Sequence, residues 1–191
     1  MIIGLCGAPG SGKDTVGNIL VSKYGFVKMA FADALKDVVS IMFSWPRNMI
    51  EGGTEESRIW RETVDPSWSL KTGIDGFTPR KALQIIGTDL MRNQVYKDIW
   101  IDIIENKLRN AGPTAKIVIT DCRFGNEIDL LRKFPNTRIL KIFRTSSSQH
   151  NTHQSETQNI TYDFVIQNDN TINDLQDNIH TFLLSGENLV D

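Results

Sequence analysis

Short continuous apolar runs alternate along this chain with stretches whose apolar residues recur every three to four positions. Residues 2–6 are such a run, and a run of that length bounded by glycine predicts a buried strand. Residues 12 to about 24 carry the helical period, and residues 26–31 read as a second strand. Asp33 then stands where a helix cap belongs, ahead of an apolar face formed by Ala34, Leu35, Val38, Val39, Met42 and Phe43; Pro46 ends that helix. Thr78 and Pro79 carry the cap and first-turn signals of another helix, which runs through Leu83 and Ile86 towards Gly87-Thr88-Asp89. Residues 97–110 place Trp100, Ile103, Ile104 and Leu108 at helical spacing before Gly112-Pro113. A strand over 116–120 ends at Asp121, a short helix lies near 127–133, and a strand over 138–143 precedes a polar segment, 144–161. Residues 164–166 form the last strand, and Ile172, Leu175, Ile179, Phe182 and Leu183 mark a closing helix.

Five short strands separated by helices predict an α/β fold, a parallel sheet with helices on both faces. In such sheets ligands bind outside the carboxyl ends of the strands. Gly7, Asp33, Asp121, Arg123 and Arg144 all fall at or just after a predicted strand end. Between about 45 and 78 the periodicity fails. That stretch holds three of the four tryptophans and a run of mixed charges, and reads as an irregular insertion or cover with a short helix near 55–63. The expectation is one domain over 1–191, with a lid-like segment at about 144–161 that has no apolar core of its own.

Composition narrows the field. A charged fraction of 23% and a hydrophobic fraction of 40% belong to an ordinary soluble globular chain, and a net charge of −2 offers no general attraction to nucleic acid or an anionic membrane. Cys6 and Cys122 are too few and too far apart for a zinc site or a secreted disulfide framework. With no leader-like or membrane-length apolar segment, the expectation is a cytoplasmic protein without membrane or nucleic-acid partners.

The chemistry concentrates at Gly7-Ala8-Pro9-Gly10-Ser11-Gly12-Lys13-Asp14-Thr15, set between a strand and a helix. In that setting the loop's backbone N–H groups wrap a di- or triphosphate, with Lys13 beside the terminal phosphates. Asp14 departs from the usual Ser or Thr after the lysine, and Thr15 follows it. Phosphoryl transfer also calls for cations, a carboxylate for magnesium and a segment able to close. Asp121 is the leading carboxylate, against the alternative of a turn cap. Arg123 suits a substrate phosphate, against a surface salt bridge with Glu127 or Asp129. Arg80 and Arg92 flank the helix containing Gly87-Thr88-Asp89, where the glycine admits either a ligand or close packing. Asp33 and Lys36 read equally as a cap and an exposed lysine. His150 and His153 do not make a convincing metal site.

The chain resembles the deoxynucleoside monophosphate kinases of tailed bacteriophages. The matching segments are Gly7–Thr15 with its Gly-Lys-Asp-Thr ending, Phe31-Ala-Asp-Ala-Leu-Lys36, Arg80 through Gly87-Thr-Asp-Leu-Met-Arg92, Asp121-Cys-Arg123 with Asn126-Glu127, His153-Gln-Ser-Glu156, and Asn168-Asp169. The resemblance spans nearly the whole chain outside about 45–78, and Asp14 is what this family shows. It implies a P-loop three-layer α/β sandwich with a five-stranded parallel sheet, a nucleotide-binding helical region and a small lid. It also implies transfer of the γ-phosphate of ATP, with Mg2+, to a deoxynucleoside 5′-monophosphate, both small-molecule substrates.

The resemblance further implies that Gly7, Ala8, Gly10, Ser11, Gly12, Lys13, Asp14, Thr15 and Arg144 serve ATP. Lys13, Asp121, Arg123, Arg80 and Arg92 become the catalytic candidates, and Asp14, Thr15 and Asp121 the candidates for magnesium, directly or through water. Asp33, Lys36, Arg80, Asp89, Arg92, Arg123, His153, Ser155 and Glu156 become the acceptor-site candidates. Family members are often homodimers, which nothing in the chain itself establishes. Phage origin would put the enzyme in the host cytoplasm. Two alternatives stay open at this point: another P-loop small-molecule kinase, such as one acting on dephospho-coenzyme A, and a nucleotide-dependent switch or binding module.

Overall fold

A computed structural model describes residues 1–145 and 160–185. In chain order its elements are β1 (Ile2–Cys6), α1 (Lys13–Tyr24), β2 (Val27–Met29), α2 (Asp33–Phe43), α3 (Arg47–Glu51), α4 (Glu55–Glu62), α5 (Pro66–Thr72) and α6 (Pro79–Gln84). There follow a π-helix (Ile85–Val95), α7 (Ile99–Asn110), β3 (Ile117–Ile119), α8 (Gly125–Arg132), β4 (Thr137–Phe143), β5 (Phe164–Gln167) and α9 (Ile172–Leu184). The chain divides into two compact units, one of Met1–Ala30 with Lys107–Asp191 and one of Phe31–Asn106.

The first unit carries the sheet, five strands in the order β2-β3-β1-β4-β5. Every pairing is parallel, with Ile3 opposite Val118 on one side and Arg138 on the other. Because side chains alternate across a strand, Ile3 and Leu5 join Leu140, Ile142, Val118 and Ile166 on one face. Val16, Ile19 and Leu20 of α1 and Leu175, Ile179 and Phe182 of α9 complete that core. On the other face Gly4 leaves room for its neighbours; a Cβ there would lie 2.9 Å from Leu131 Cδ1 of α8 and 3.2 Å from Cys122 Sγ. Both cysteines are buried free thiols. With β1 central, its carboxyl end opens where the order of strands changes direction, the usual position for a ligand in such a sheet.

The second unit is helical throughout its regular elements and has its own core. Val39, Trp45, Ile50, Phe77, Ala82 and Ile86 are buried, with Leu35, Phe43, Trp60 and Trp68 packed against them. Stretch 45–78 is built from helices too short to show a period. Thr54 caps α4 through Ser57 N, and Asp65 caps α5 through Trp68 N at 2.9 Å. The buried indoles find acceptors, as their N–H groups require: Trp45 Nε1 donates to Asp65 at 2.9 Å and Trp68 Nε1 to the Phe43 carbonyl at 3.2 Å.

Three readings change in detail. Asp33 is the first residue of α2 and Ala32 its cap, so Asp33 acts as a first-turn acid and not as the side-chain cap. The face of α2 is narrower than its sequence suggests: Val39 is fully buried, whereas Val38 and Met42 are 41% and 53% exposed. The helix entered at Thr78-Pro79 does not stop at Gly87 but passes through it as a π-helix. A Cβ on Gly87 would lie 2.5 Å from Leu35 Cδ2, and the Gly87 carbonyl accepts the buried Trp100 indole N–H at 3.0 Å. This is the packing explanation for that glycine.

Candidate active site

Leaving β1 at Cys6, the chain must turn sharply before it can start α1. Gly7 makes the turn at φ +147°, where a Cβ would sit 2.3 Å from the Ile142 carbonyl oxygen. Gly12 caps α1 at φ +104°, and a Cβ there would lie 2.2 Å from Asn168 Nδ2. Between them the loop closes on itself through Ser11 N to Ala8 O, 3.1 Å. A glycine cap supplies no side-chain acceptor, so the first amides of α1 are available to an anion. Ser11 Oγ is buried and, among the described residues, has no hydrogen-bond partner. Lys13 Nζ folds onto the loop, donating to the carbonyls of Gly7 at 2.6 Å and Ala8 at 2.9 Å. The loop thus gathers the Lys13 ammonium, the Ser11 hydroxyl and the first amides of α1 in one short stretch.

Electrostatics reinforces the point. The Lys13 ammonium is held below its ordinary pKa, first by burial and then by the Arg123 guanidinium, while Asp14 and Asp121 oppose the shift. Two cations that disfavour each other gain from an anion placed between them. Arg123 itself is exposed. Its backbone N–H, with that of Phe124, donates to Glu127 Oε2 at 2.8 and 3.2 Å. Glu127, only 2% exposed, therefore fixes the main chain that leads into α8. The link between Arg123 and Glu127 runs through the backbone.

The magnesium candidates separate. Thr15 and Asp14 are exposed; Asp14 pairs with Lys28 Nζ at 3.2 Å, its side chain 76% accessible. Asp121 is half-buried at the end of β3. No cluster of three or more His, Cys, Asp or Glu placed to hold a metal occurs among the described residues. One or two carboxylates beside a phosphate loop nevertheless fit Mg2+, which keeps several waters and takes its remaining oxygens from phosphates.

At the far side of β4, Arg144 Nε donates to the Asn168 carbonyl at 2.7 Å. Asn168 N donates to Phe143 O at 2.7 Å, and Asn168 Nδ2 to Ser11 O at 2.9 Å. Thr145 is tied to Asp169 by its amide, 2.8 Å, and its hydroxyl, 2.6 Å. His153, Ser155 and Glu156, like most of the lid-like 144–161 segment, lie outside the described residues.

In the second unit Lys36 and Asp33 are drawn into one network. Lys36 Nζ meets Glu51 Oε1 at 2.7 Å; Arg47 meets Glu51 Oε2 at 2.5 Å, Asp37 at 2.6 Å and Asp33 at 3.5 Å. The Lys36 side chain is 13% accessible, which makes it a half-buried cation and not the exposed lysine of the plainer reading. Burial pushes the Glu51 carboxyl up, but hydrogen bonds from Arg47 and Lys36 outweigh it and hold the pKa at about 2. Arg80 is exposed and pairs with Glu62 of α4. Asp89 and Arg92 both sit on the π-helix, Asp89 exposed and Arg92 half-buried. Such stretches are rare and frequently functional.

Residues 68–179, more than half of the chain, match the family model for deoxynucleotide monophosphate kinase. The chain is 33% identical over 192 residues to a provisionally named deoxynucleotide monophosphate kinase of Acanthamoeba polyphaga mimivirus, with 94% of each chain covered. The chain belongs to the deoxynucleotide monophosphate kinase family. It is also 28% identical to the deoxynucleoside-5′-monophosphate kinase of Escherichia phage T5, over 70% of this kinase and 72% of that one. The crystal structure of TT1252 from Thermus thermophilus superposes over 100% of this kinase and 98% of its own chain, with a TM-score of 0.50 and 16% identity, which speaks to the fold alone.

Arg47 and Glu51 of the kinase escape the motif reading, and Glu127 and Asn168, both named in it, owe their roles to contacts it does not show: Glu127 on the Arg123 and Phe124 amides and Asn168 on the loop. Glu127 carried a signal, an acid three residues after a helix entry. Arg47 and Glu51 sit i, i+4 on α3, but their partners on α2 are set by tertiary packing that no local pattern announces.

Proposed function

We propose that the protein transfers the γ-phosphate of ATP, with Mg2+, to deoxynucleoside 5′-monophosphates, giving the diphosphates and ADP. The carrying observation is the phosphate loop: an α1 N-terminus without a side-chain cap, a buried Ser11 hydroxyl without a partner among the described residues, and a desolvated Lys13 under the influence of the Arg123 charge. This donor set, in a member of this family, suits the polyphosphate of a nucleotide.

In this reading Gly7–Thr15 hold the ATP phosphates, and Lys13 and Arg123 neutralise charge on the group in flight. Asp121, with Asp14 through water, would hold the magnesium ion, whose chemistry is to draw charge from the bridging phosphate oxygens. Lys36 and Arg92 serve the acceptor phosphate, with Arg80 recruited from its exposed pairing with Glu62, and Asp33 and Asp89 shape the acceptor pocket. Arg144 contributes to the ATP side from the end of β4. The viral names of the relatives support a role in supplying deoxynucleotides for viral DNA synthesis in the host cytoplasm.

Following label tests the reaction class. ATP labelled at the γ position should deliver its label to the β position of a deoxynucleoside diphosphate. Label released as inorganic phosphate, with none in a nucleotide product, would contradict the proposal and favour a hydrolysing switch.

A further inference from the structure

Asn168 is a buried polar residue whose backbone N–H, carbonyl and carboxamide are all engaged. Its N–H donates to Phe143 O, 2.7 Å, and its carbonyl accepts from Arg144 Nε, 2.7 Å. These contacts fix its main chain against β4, and its carboxamide, only 5% of the residue being exposed, reaches back to Ser11 O, 2.9 Å. Gly12 permits that approach, since any Cβ there would lie 2.2 Å from Asn168 Nδ2.

The consequence follows from the planarity of the peptide bond. In a trans peptide the carbonyl and the following N–H point in opposite directions. Holding the Ser11 carbonyl on Asn168 therefore turns the Gly12 N–H the other way. The peptide before a glycine at φ +104° is the one most easily inverted, because glycine tolerates both hands of backbone conformation. An inverted Ser11–Gly12 peptide would present a carbonyl oxygen where the loop should present a donor. We propose that Asn168 is a positioning residue for ATP: its carboxamide locks the Ser11–Gly12 peptide in the orientation that binds phosphate. The inference rests on the reading of Gly7–Thr15 as the ATP site.

A lock of this kind acts on ATP binding before the chemical step, so it belongs in KM and not in kcat. Asn168→Ala should raise KM for ATP on the order of ten-fold, as expected for a lost hydrogen bond that held the peptide in one orientation. The value of kcat should stay within about three-fold and KM for the acceptor should not change. A fall in thermal stability with KM for ATP unchanged would overturn the proposal, as would a loss confined to kcat. Should the variant fail to fold, the unaltered protein still decides. One Asn168 side-chain amide proton should be protected from solvent exchange and should shift when inorganic tripolyphosphate is added; an unprotected, unmoved signal contradicts the lock. If tripolyphosphate and ATP bind the unaltered protein while Asn168→Ala binds them equally well, the inference fails and the ATP site stands. If neither ligand binds the unaltered protein, it is the ATP site itself that fails.

Discussion

Arg123 lies near enough to Lys13 to weaken its hold on a proton, second only to burial among the causes. Asp14 and Asp121 offset this only in part, since the net shift is still downward. Replacing Lys13 with Met removes a desolvated cation but also the donor to the Gly7 and Ala8 carbonyls, so the stability of the ligand-free protein should change by no more than about 1 kcal/mol. Turnover should fall by about 10³-fold or more if, as proposed, the Lys13 charge acts on the transferring phosphate. Steady-state rates together with a melting curve check both halves.

Arg123→Ala should cost about 10²-fold in kcat/KM, the scale of one removed cation at a phosphoryl group. Arg123 is exposed, and its backbone is held by Glu127 whatever its side chain. Stability should therefore stay within about 0.5 kcal/mol. Chemical denaturation beside the kinetic assay separates the two, and a loss confined to stability would return Arg123 to a structural role.

The two carboxylates offered for magnesium should not be equivalent. Asp14 is exposed and engaged with Lys28, whereas Asp121 is half-buried two residues beyond the buried strand β3. Asp121→Asn should lower kcat by about 10²-fold or more and raise the magnesium concentration needed for half-maximal rate. Asp14→Asn should change either by only a few-fold. Magnesium titrations of the two variants give the comparison, and equal losses would contradict it.

Glu51 makes a pH-dependent prediction. Its folded pKa of about 2 lies below the ordinary 4.5, so the stability it contributes is present above that ordinary value and is lost as pH falls towards 2. With the side chain 39% accessible, solvent screening reduces the contribution to about 1 kcal/mol. Glu51→Gln should remove that much at pH 7 and flatten the acid limb of the stability curve. All four tryptophans, Trp45, Trp60, Trp68 and Trp100, lie in the same unit as Glu51, so intrinsic fluorescence reads the loss directly. In the proposed acceptor site Glu51 holds the Lys36 ammonium in place, so Glu51→Gln should also raise KM for the monophosphate.

Much of this arrangement was legible in the chain. β1 and β3 announced themselves as apolar runs because they are buried along their whole length and need no alternation, whereas β2 is exposed or half-buried throughout and β5 buries only Ile166; the turn of Gly7–Thr15 was legible because it admits no side chain at Gly7 or Gly12. Of the helices in stretch 45–78, α4 was expected near 55–63, and α3 and α5 were hidden. At five to eight residues all three are too short to display a period, although Thr54 and the Asp65-Pro66 pair marked two of their starts. The π-helix from Ile85 to Val95 was not legible, since the sequence there shows only an apolar helix interrupted by Gly87. Asn168 was visible as a motif position, but its bond to Ser11 spans 157 residues and exists only once β5 lies beside β4.

The most direct test of the account couples ADP release to an optical readout. ATP and magnesium are supplied against a panel of deoxy- and ribonucleoside monophosphates, with a no-acceptor control and dephospho-coenzyme A included. Turnover with one or more deoxynucleoside monophosphates, absent without acceptor and absent with dephospho-coenzyme A, is the predicted result. ADP release that ignores the acceptor, or that appears with dephospho-coenzyme A and no monophosphate, would contradict it.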